Sequence, residues 1–119
     1  MLSVGVDAVE IARVGSVFDR YGERFLTKVY TPAEIAYCQG RVPELAARFA
    51  GKEAISKALG TGIRSIVWRE MEILPDRRGK PIVFLHGRAA ARARTLGLTD
   101  FAISLTHSRE LAIAFVTAT

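Results

Sequence analysis

The sequence predicts a single α+β domain over residues 1–119, with antiparallel strands and hairpins packed against helices. Three observations carry that prediction. Residues 2–7 alternate Leu2, Val4 and Val6 with Ser3, Gly5 and Asp7, the period of a strand with one buried face. Residues 43–59 are rich in alanine, leucine and charged residues, which favour a helix. Beyond residue 67, short apolar runs joined by turn residues read as hairpins. No repeat, linker or low-complexity segment divides the chain, so these elements share one core.

In order, the first strand places its valines inward and ends at Asp7, on the opposite face. Residues 9–20 carry Val9, Ile11, Ala12, Val14 and Phe18 and predict a helix bearing Arg13 and Arg20, broken at Tyr21-Gly22. Thr31-Pro32-Ala33-Glu34 combines a capping threonine, a first-turn proline and a glutamate at the third position, so a short helix starts there. Gly40 ends it. The central helix runs from Pro43 to Leu59, with Gly60 and Gly62 placed for a left-handed exit into a loop. Within it Gly51 costs about 1 kcal/mol relative to alanine, which is better tolerated where something packs close. Trp68–Leu74 and Pro81–Leu85 form a hairpin about the turn Asp76-Arg77-Arg78-Gly79. Residues 87–96 form an alanine- and arginine-rich helix closed by Gly97, with Arg92 and Arg94 on a solvated face. Residues 101–106 and 111–117 form the closing hairpin, with His107 in its turn.

At 119 residues the chain can build a core, but it is small enough that association helps it. Half its residues are hydrophobic and 24% are charged, an ordinary globular balance. No apolar run reaches membrane-spanning length, and the opening residues lack a basic segment followed by an apolar one. The expectation is a soluble, cytoplasmic protein with no membrane partner. Cys38 is the only cysteine, so no internal disulfide and no cysteine zinc cluster forms, and it reads as a small buried hydrophobe. The net charge of +5 points to an anionic partner: nucleic acid, an acidic protein or a phosphorylated small molecule. Arg77, Arg78, Arg88, Arg92 and Arg94 are scattered over several elements without an aromatic RNA-binding motif, which argues against nucleic acid.

Asp7, Glu53, Lys57 and His107 are the side chains able to do chemistry. Taken singly, each has an ordinary role. Asp7 before a helix suits a cap. Glu53 and Lys57, four apart on one helical face with Phe49, suit a surface pair worth a few tenths of a kcal/mol. A histidine in a hairpin turn suits solvent. Gly51-Lys52 is not a phosphate-binding P-loop, because Ala46 and Glu53 stand where that motif needs a glycine and a hydroxyl. Taken together, two carboxylates from distant elements can hold magnesium, with water and a substrate phosphate completing its shell. Lys57 then points along the same face toward that phosphate. A helix C-terminus disfavours anions, so the glycine loop is placed against an uncharged part of the ligand.

Three segments resemble one family. Gly5-Val6-Asp7-Ala8-Val9-Glu10-Ile11-Ala12-Arg13 resembles the G-x-D-x-x-x-I-x-R opening of phosphopantetheinyl transferases. Arg48-Phe49-Ala50-Gly51-Lys52-Glu53-Ala54-Ile55-Ser56-Lys57-Ala58 is similar to their R-F-A-x-K-E-A-x-x-K-A helix, with Gly51 where alanine is commoner. Ser104-Leu105-Thr106-His107 is similar to their S-x-[ST]-H strand. Order, spacing and length match the short branch from end to end, except that residues 38–45 match poorly.

The resemblance implies the 4'-phosphopantetheinyl transferase fold and transfer of phosphopantetheine from coenzyme A to a serine of apo-acyl carrier protein, in fatty acid biosynthesis. It implies a magnesium site at Asp7 and Glu53, with manganese as an alternative ion. Lys57 neutralises the attacked phosphate or helps remove the serine proton; a metal-bound water relayed by Glu53 is the other base. Arg48, Ser56, Lys57, Gly60, Gly62, Pro81 and His107 are the coenzyme A contacts it implies, His107 with a catalytic role as well. Arg13 and Arg20 meet the acidic carrier protein. A homotrimer with sites at subunit boundaries follows from the same resemblance.

Overall fold

Gly5 decides how the first strand meets the central helix. The computed structural model describes all 119 residues, and in it β1 (Ser3–Glu10) lies directly beneath α4 (Val42–Ala58). A side chain at Gly5 would run into the backbone carbonyl of Ala54, so only glycine permits this approach. With Gly5 facing the helix, the pleat turns Ser3, Asp7 and Val9 the same way and Val4 and Val6 outward. The expected burial of the valine face is therefore reversed: Val4 and Val6 are exposed. Asp7 faces the helix from within the strand and caps nothing. The strand runs on to Glu10 because Ala8, Val9 and Glu10 pair with Ile113, Ala112 and Leu111. That pairing overrides the helical period read from residue 9, and α1 spans Ile11–Tyr21.

Gly22, at a φ of 54°, separates α1 from α2 (Glu23–Val29). The sequence reading missed α2, although Phe25, Leu26 and Val29 sit at helical spacing and are buried. The helix α3 (Pro32–Cys38) begins at the expected capping box, Thr31 Oγ1 accepting from the Glu34 amide while Glu34 accepts from the Thr31 amide. It closes on Gln39 in the left-handed region, with Gly40 following. Cys38 is wholly buried, and burial pushes its thiol up to about 11, an inert group.

After α4 the chain exits through Gly60 and Gly62, at φ of 74° and 61°. Residues Trp68–Glu70 form a 3-10 turn rather than strand, because the Glu70 carboxylate accepts the Val67 and Arg88 amides and folds the segment on itself. The hairpin then comprises β2 (Met71–Pro75) and β3 (Pro81–Leu85). The helix α5 (Gly87–Leu96) leads to β4 (Phe101–His107) and β5 (Leu111–Ala118). The three-stranded antiparallel sheet has the order β1-β5-β4.

One face of that sheet receives α4, with Ala114, Val116, Ile103, Ala54 and Ile55 in the shared core. Gly51 makes room there for the Ile73 side chain, with Ile103 and Leu105 beside it, so the glycine expected to lie under a close neighbour has one. No helix is long and apolar enough to cross a membrane.

Candidate active site

Side chains along α4 tie it to β1, β2, α3 and the 3-10 turn. Arg48 Nε donates to the Ile73 carbonyl at 3.2 Å, and its guanidinium meets Glu44 at 3.0 Å and stacks over Tyr37. Lys52 is fully buried and reaches Glu34 at 2.7 Å, the Met71 carbonyl at 2.6 Å and the Trp68 carbonyl at 3.2 Å. Lys57 Nζ donates to the Val6 carbonyl at 2.9 Å and to Asp7 Oδ1 at 3.1 Å. These bonds fix α4 in rotation and along its axis, and so fix Glu53 opposite β1.

Asp7, Glu53 and Lys57 are thus brought together. The Glu53 carboxyl is raised above the ordinary glutamate range by burial first and then by the Asp7 charge, while Lys57 pulls it down. A pair of neighbouring carboxylates suits a divalent cation, and an all-oxygen donor set suits a hard one. Asp7 and Glu53 would therefore fit a hard divalent ion such as magnesium. The Lys57 ammonium, on a half-exposed side chain, lies at the edge of this pair.

A second cluster forms elsewhere on the same chain. His107, the last residue of β4 rather than part of the turn, is exposed and lines a groove of about 210 Å3 with Arg48, Pro81, Glu44, Tyr37 and Gly79. Arg48 and Lys57 are nine residues apart on α4, about 13 Å along the axis and roughly half a turn round it. The chain therefore divides the expected coenzyme A contacts between two faces. Ser56 joins neither: it is fully buried and its hydroxyl donates to the Glu53 carbonyl at 2.7 Å, leaving it no surface for a ligand. Its own carbonyl instead accepts the Thr61 and Gly62 amides and shapes the glycine loop.

Arg13 lines an apolar groove of about 320 Å3 with Val14, Val17, Phe25, Phe49 and Leu111. Ala8 and Val9 in its wall follow Asp7 directly, and Phe49 lies one helical turn before Glu53, so this groove adjoins the carboxylate pair. Arg20 lies over the Tyr21 ring. The sequence reading missed the groove because Phe25 belongs to the unrecognised α2. Arg92, expected in a solvated face, is half-buried and donates to the Leu59 carbonyl at the end of α4.

The model of the 4'-phosphopantetheinyl transferase superfamily matches residues 3–116. The chain belongs to that superfamily. It is 46% identical to a holo-[acyl-carrier-protein] synthase of Herpetosiphon aurantiacus, covering 98% of this chain and 97% of that one. It is 47% identical to another from Dehalococcoides mccartyi, covering 99% and 98%. A crystal structure of the Helicobacter pylori holo-[acyl-carrier-protein] synthase in complex with coenzyme A superposes with a TM-score of 0.89 at 29% identity, over 98% of this chain and 99% of that one. The Neisseria meningitidis synthase gives 0.90 at 31% identity, over 98% and 97%. The protein is a phosphopantetheinyl transferase of this short type, and the three sequence segments that resembled the family fall on β1 with the first turn of α1, on α4 and on β4.

Proposed function

We propose that the protein transfers the 4'-phosphopantetheine arm of coenzyme A to a serine hydroxyl of apo-acyl carrier protein, for fatty acid biosynthesis in the cytoplasm. The observation that carries this reading is the convergence of Asp7, Glu53 and Lys57, from elements fifty residues apart, in a chain of this superfamily. The serine oxygen bonds to the phosphorus bearing pantetheine, the bond to the bridging pyrophosphate oxygen breaks, and adenosine 3',5'-bisphosphate leaves.

Catalysis of such a step is positioning and charge neutralisation. Asp7 and Glu53 would hold magnesium, or manganese in its place; the bound ion supplies neutralisation of the pyrophosphate and of the leaving oxygen. Lys57 holds the attacked phosphate. The serine proton passes to Lys57 or, through a water, to Glu53. Gly60 and Gly62 present an open loop edge to the nucleotide. Arg48, Pro81 and His107 contact coenzyme A from the second groove, His107 and Arg48 at its phosphates.

Two features support a homotrimer with sites at subunit boundaries. The contacts of one chain lie on two faces, so a neighbour's groove can complete the carboxylate cluster. The outer sheet face also exposes Val4, Val6, Leu111, Ile113 and Phe115, an apolar patch that association would cover. The carrier protein docks on the groove beside Arg13, whose apolar floor and cationic rim suit an amphipathic acidic helix, with Arg20 further along α1.

Intact-mass analysis tests the reaction: apo-acyl carrier protein is incubated with the protein, coenzyme A and magnesium. A gain of one phosphopantetheine, lost with chelator and with Asp7→Ala or Glu53→Ala, is the expected result. No gain by several carrier proteins, from folded protein, overturns it.

A further inference from the structure

Lys57 occupies a carboxylate that a divalent ion would need. Its ammonium donates to Asp7 Oδ1 at 3.1 Å and to the neighbouring Val6 carbonyl at 2.9 Å. β1 is an edge strand of its sheet, where carbonyls turned away from the ladder take partners from elsewhere, and this one takes Lys57. The ion pair of Lys57 is with Asp7, although Glu53 is a single helical turn away on α4. All three groups share one field. Burial raises the Glu53 carboxyl most, then the Asp7 charge raises it further while Lys57 lowers it.

Two cations cannot both hold Asp7 at full strength, because a divalent ion on that carboxylate would lie beside the ammonium and like charges at that range repel. Exposure decides which one yields. The Asp7 side chain is 19% exposed and fixed in β1, whereas that of Lys57 is 51% exposed, on a flexible four-carbon stem half in solvent. Its backbone stays where it is, since the Lys57 carbonyl accepts the Gly60 amide at 3.0 Å. Only the side chain has to move.

We propose that Lys57 is a displaceable cation: it neutralises Asp7 until a divalent ion takes that carboxylate, and then turns to the substrate phosphate. This rests on the transfer reading above. The ion is accordingly held weakly in the absence of coenzyme A, because it has to evict Lys57. A phosphate that engages the released ammonium tightens the ion, and by reciprocity the ion tightens coenzyme A by the same factor.

Calorimetric titration of the full-length protein with manganese tests this, with and without coenzyme A. Without coenzyme A, Lys57→Met is expected to bind manganese about two- to fivefold more tightly than the parent, the scale of an exposed ion pair. With coenzyme A present, that advantage is expected to close. A second measurement uses the parent alone: acylation of the Lys57 amine, read by mass spectrometry against the exposed Lys80. Manganese is expected to raise the Lys57 rate, and manganese with coenzyme A to lower it again. Manganese binding that is unchanged or weaker in Lys57→Met overturns the proposal, as does a Lys57 rate that manganese leaves unchanged; Lys57 is then a fixed neighbour of the ion. A parent that binds no manganese even with coenzyme A fails the metal reading beneath it, and is told apart because the parent titration is then flat under both conditions.

Discussion

Lys52 and Glu34 form an ion pair at 2.7 Å with neither side chain exposed to solvent. Lys52 also bonds the Trp68 and Met71 carbonyls, and Glu34 takes the Thr31 and Ile73 amides, so the pair ties α4 to α3 and β2. Removing one partner strands a buried charge. Lys52→Met is expected to destabilise the fold by about 3–5 kcal/mol. Lys52→Met with Glu34→Gln is expected to lose less than the two single changes summed, by about 0.5–3 kcal/mol. Denaturant melts of the four proteins check this; strict additivity would contradict it.

Glu53 sets a pH dependence whose sign can be worked out. Burial and the Asp7 charge raise its carboxyl in the folded state, with Lys57 opposing. Such a group contributes stability fully below its unfolded pKa, and that contribution is lost as pH rises through the higher folded value. In chelator near neutral pH, Glu53→Gln is therefore expected to melt above the parent protein, the difference closing toward pH 4. Magnesium is expected to raise the melting temperature of the parent and not of the variant. Transfer falls by about two orders of magnitude or more, given the several kcal/mol that a catalytic metal supplies. A variant that melts below the parent in chelator would contradict the assignment.

The motif residues were legible because their chemistry depends on spacing within one element. Glu53 and Lys57 share a face by helix period alone, and the Thr31 capping box is written in four consecutive residues. What was not legible is set by partners distant in sequence. The outward turn of Val4 and Val6 depends on Gly5 meeting Ala54, and the length of β1 depends on β5. The resemblance puts Ser56 among the coenzyme A contacts, yet its hydroxyl is spent on the Glu53 carbonyl. Arg92 lies among surface-type arginines, and only the packing of α5 on α4 shows where it reaches.

Two glycines, Gly5 beneath α4 and Gly51 within it, predict opposite outcomes. An added methyl at Gly5 meets the Ala54 carbonyl, which is backbone and cannot yield without moving α4 off the sheet. Gly5→Ala is expected to cost more than about 3 kcal/mol and to abolish transfer by displacing Asp7 from Glu53. At Gly51 the obstacle is the tip of the Ile73 side chain, which can change rotamer. Overpacking of about 1–3 kcal/mol there is offset by about 1 kcal/mol of helix propensity. Gly51→Ala is expected to stay within about 2 kcal/mol of the parent and to remain active. Thermal melts and the mass assay on both variants test the contrast; similar losses would refute it.

Val6 and Phe115 are directly paired across β1 and β5, and they remain 54% and 46% exposed on the outer sheet face. An isolated pair of this kind is unremarkable, but Val4, Ile113 and Leu111 extend it along both strands. A charge there discriminates between a free surface and an interface. On a free surface, Phe115→Lys changes stability by within about 0.5 kcal/mol and leaves activity intact. At a subunit boundary it leaves the inner face of the sheet and its circular dichroism unchanged, yet separates the protomers and removes the groove that completes each site. Light scattering is therefore expected to give three times the 13.0 kDa chain mass for the parent and a single chain mass for Phe115→Lys, with transfer lost in step. A parent that scatters as one chain while fully active would remove the trimer and the shared site together.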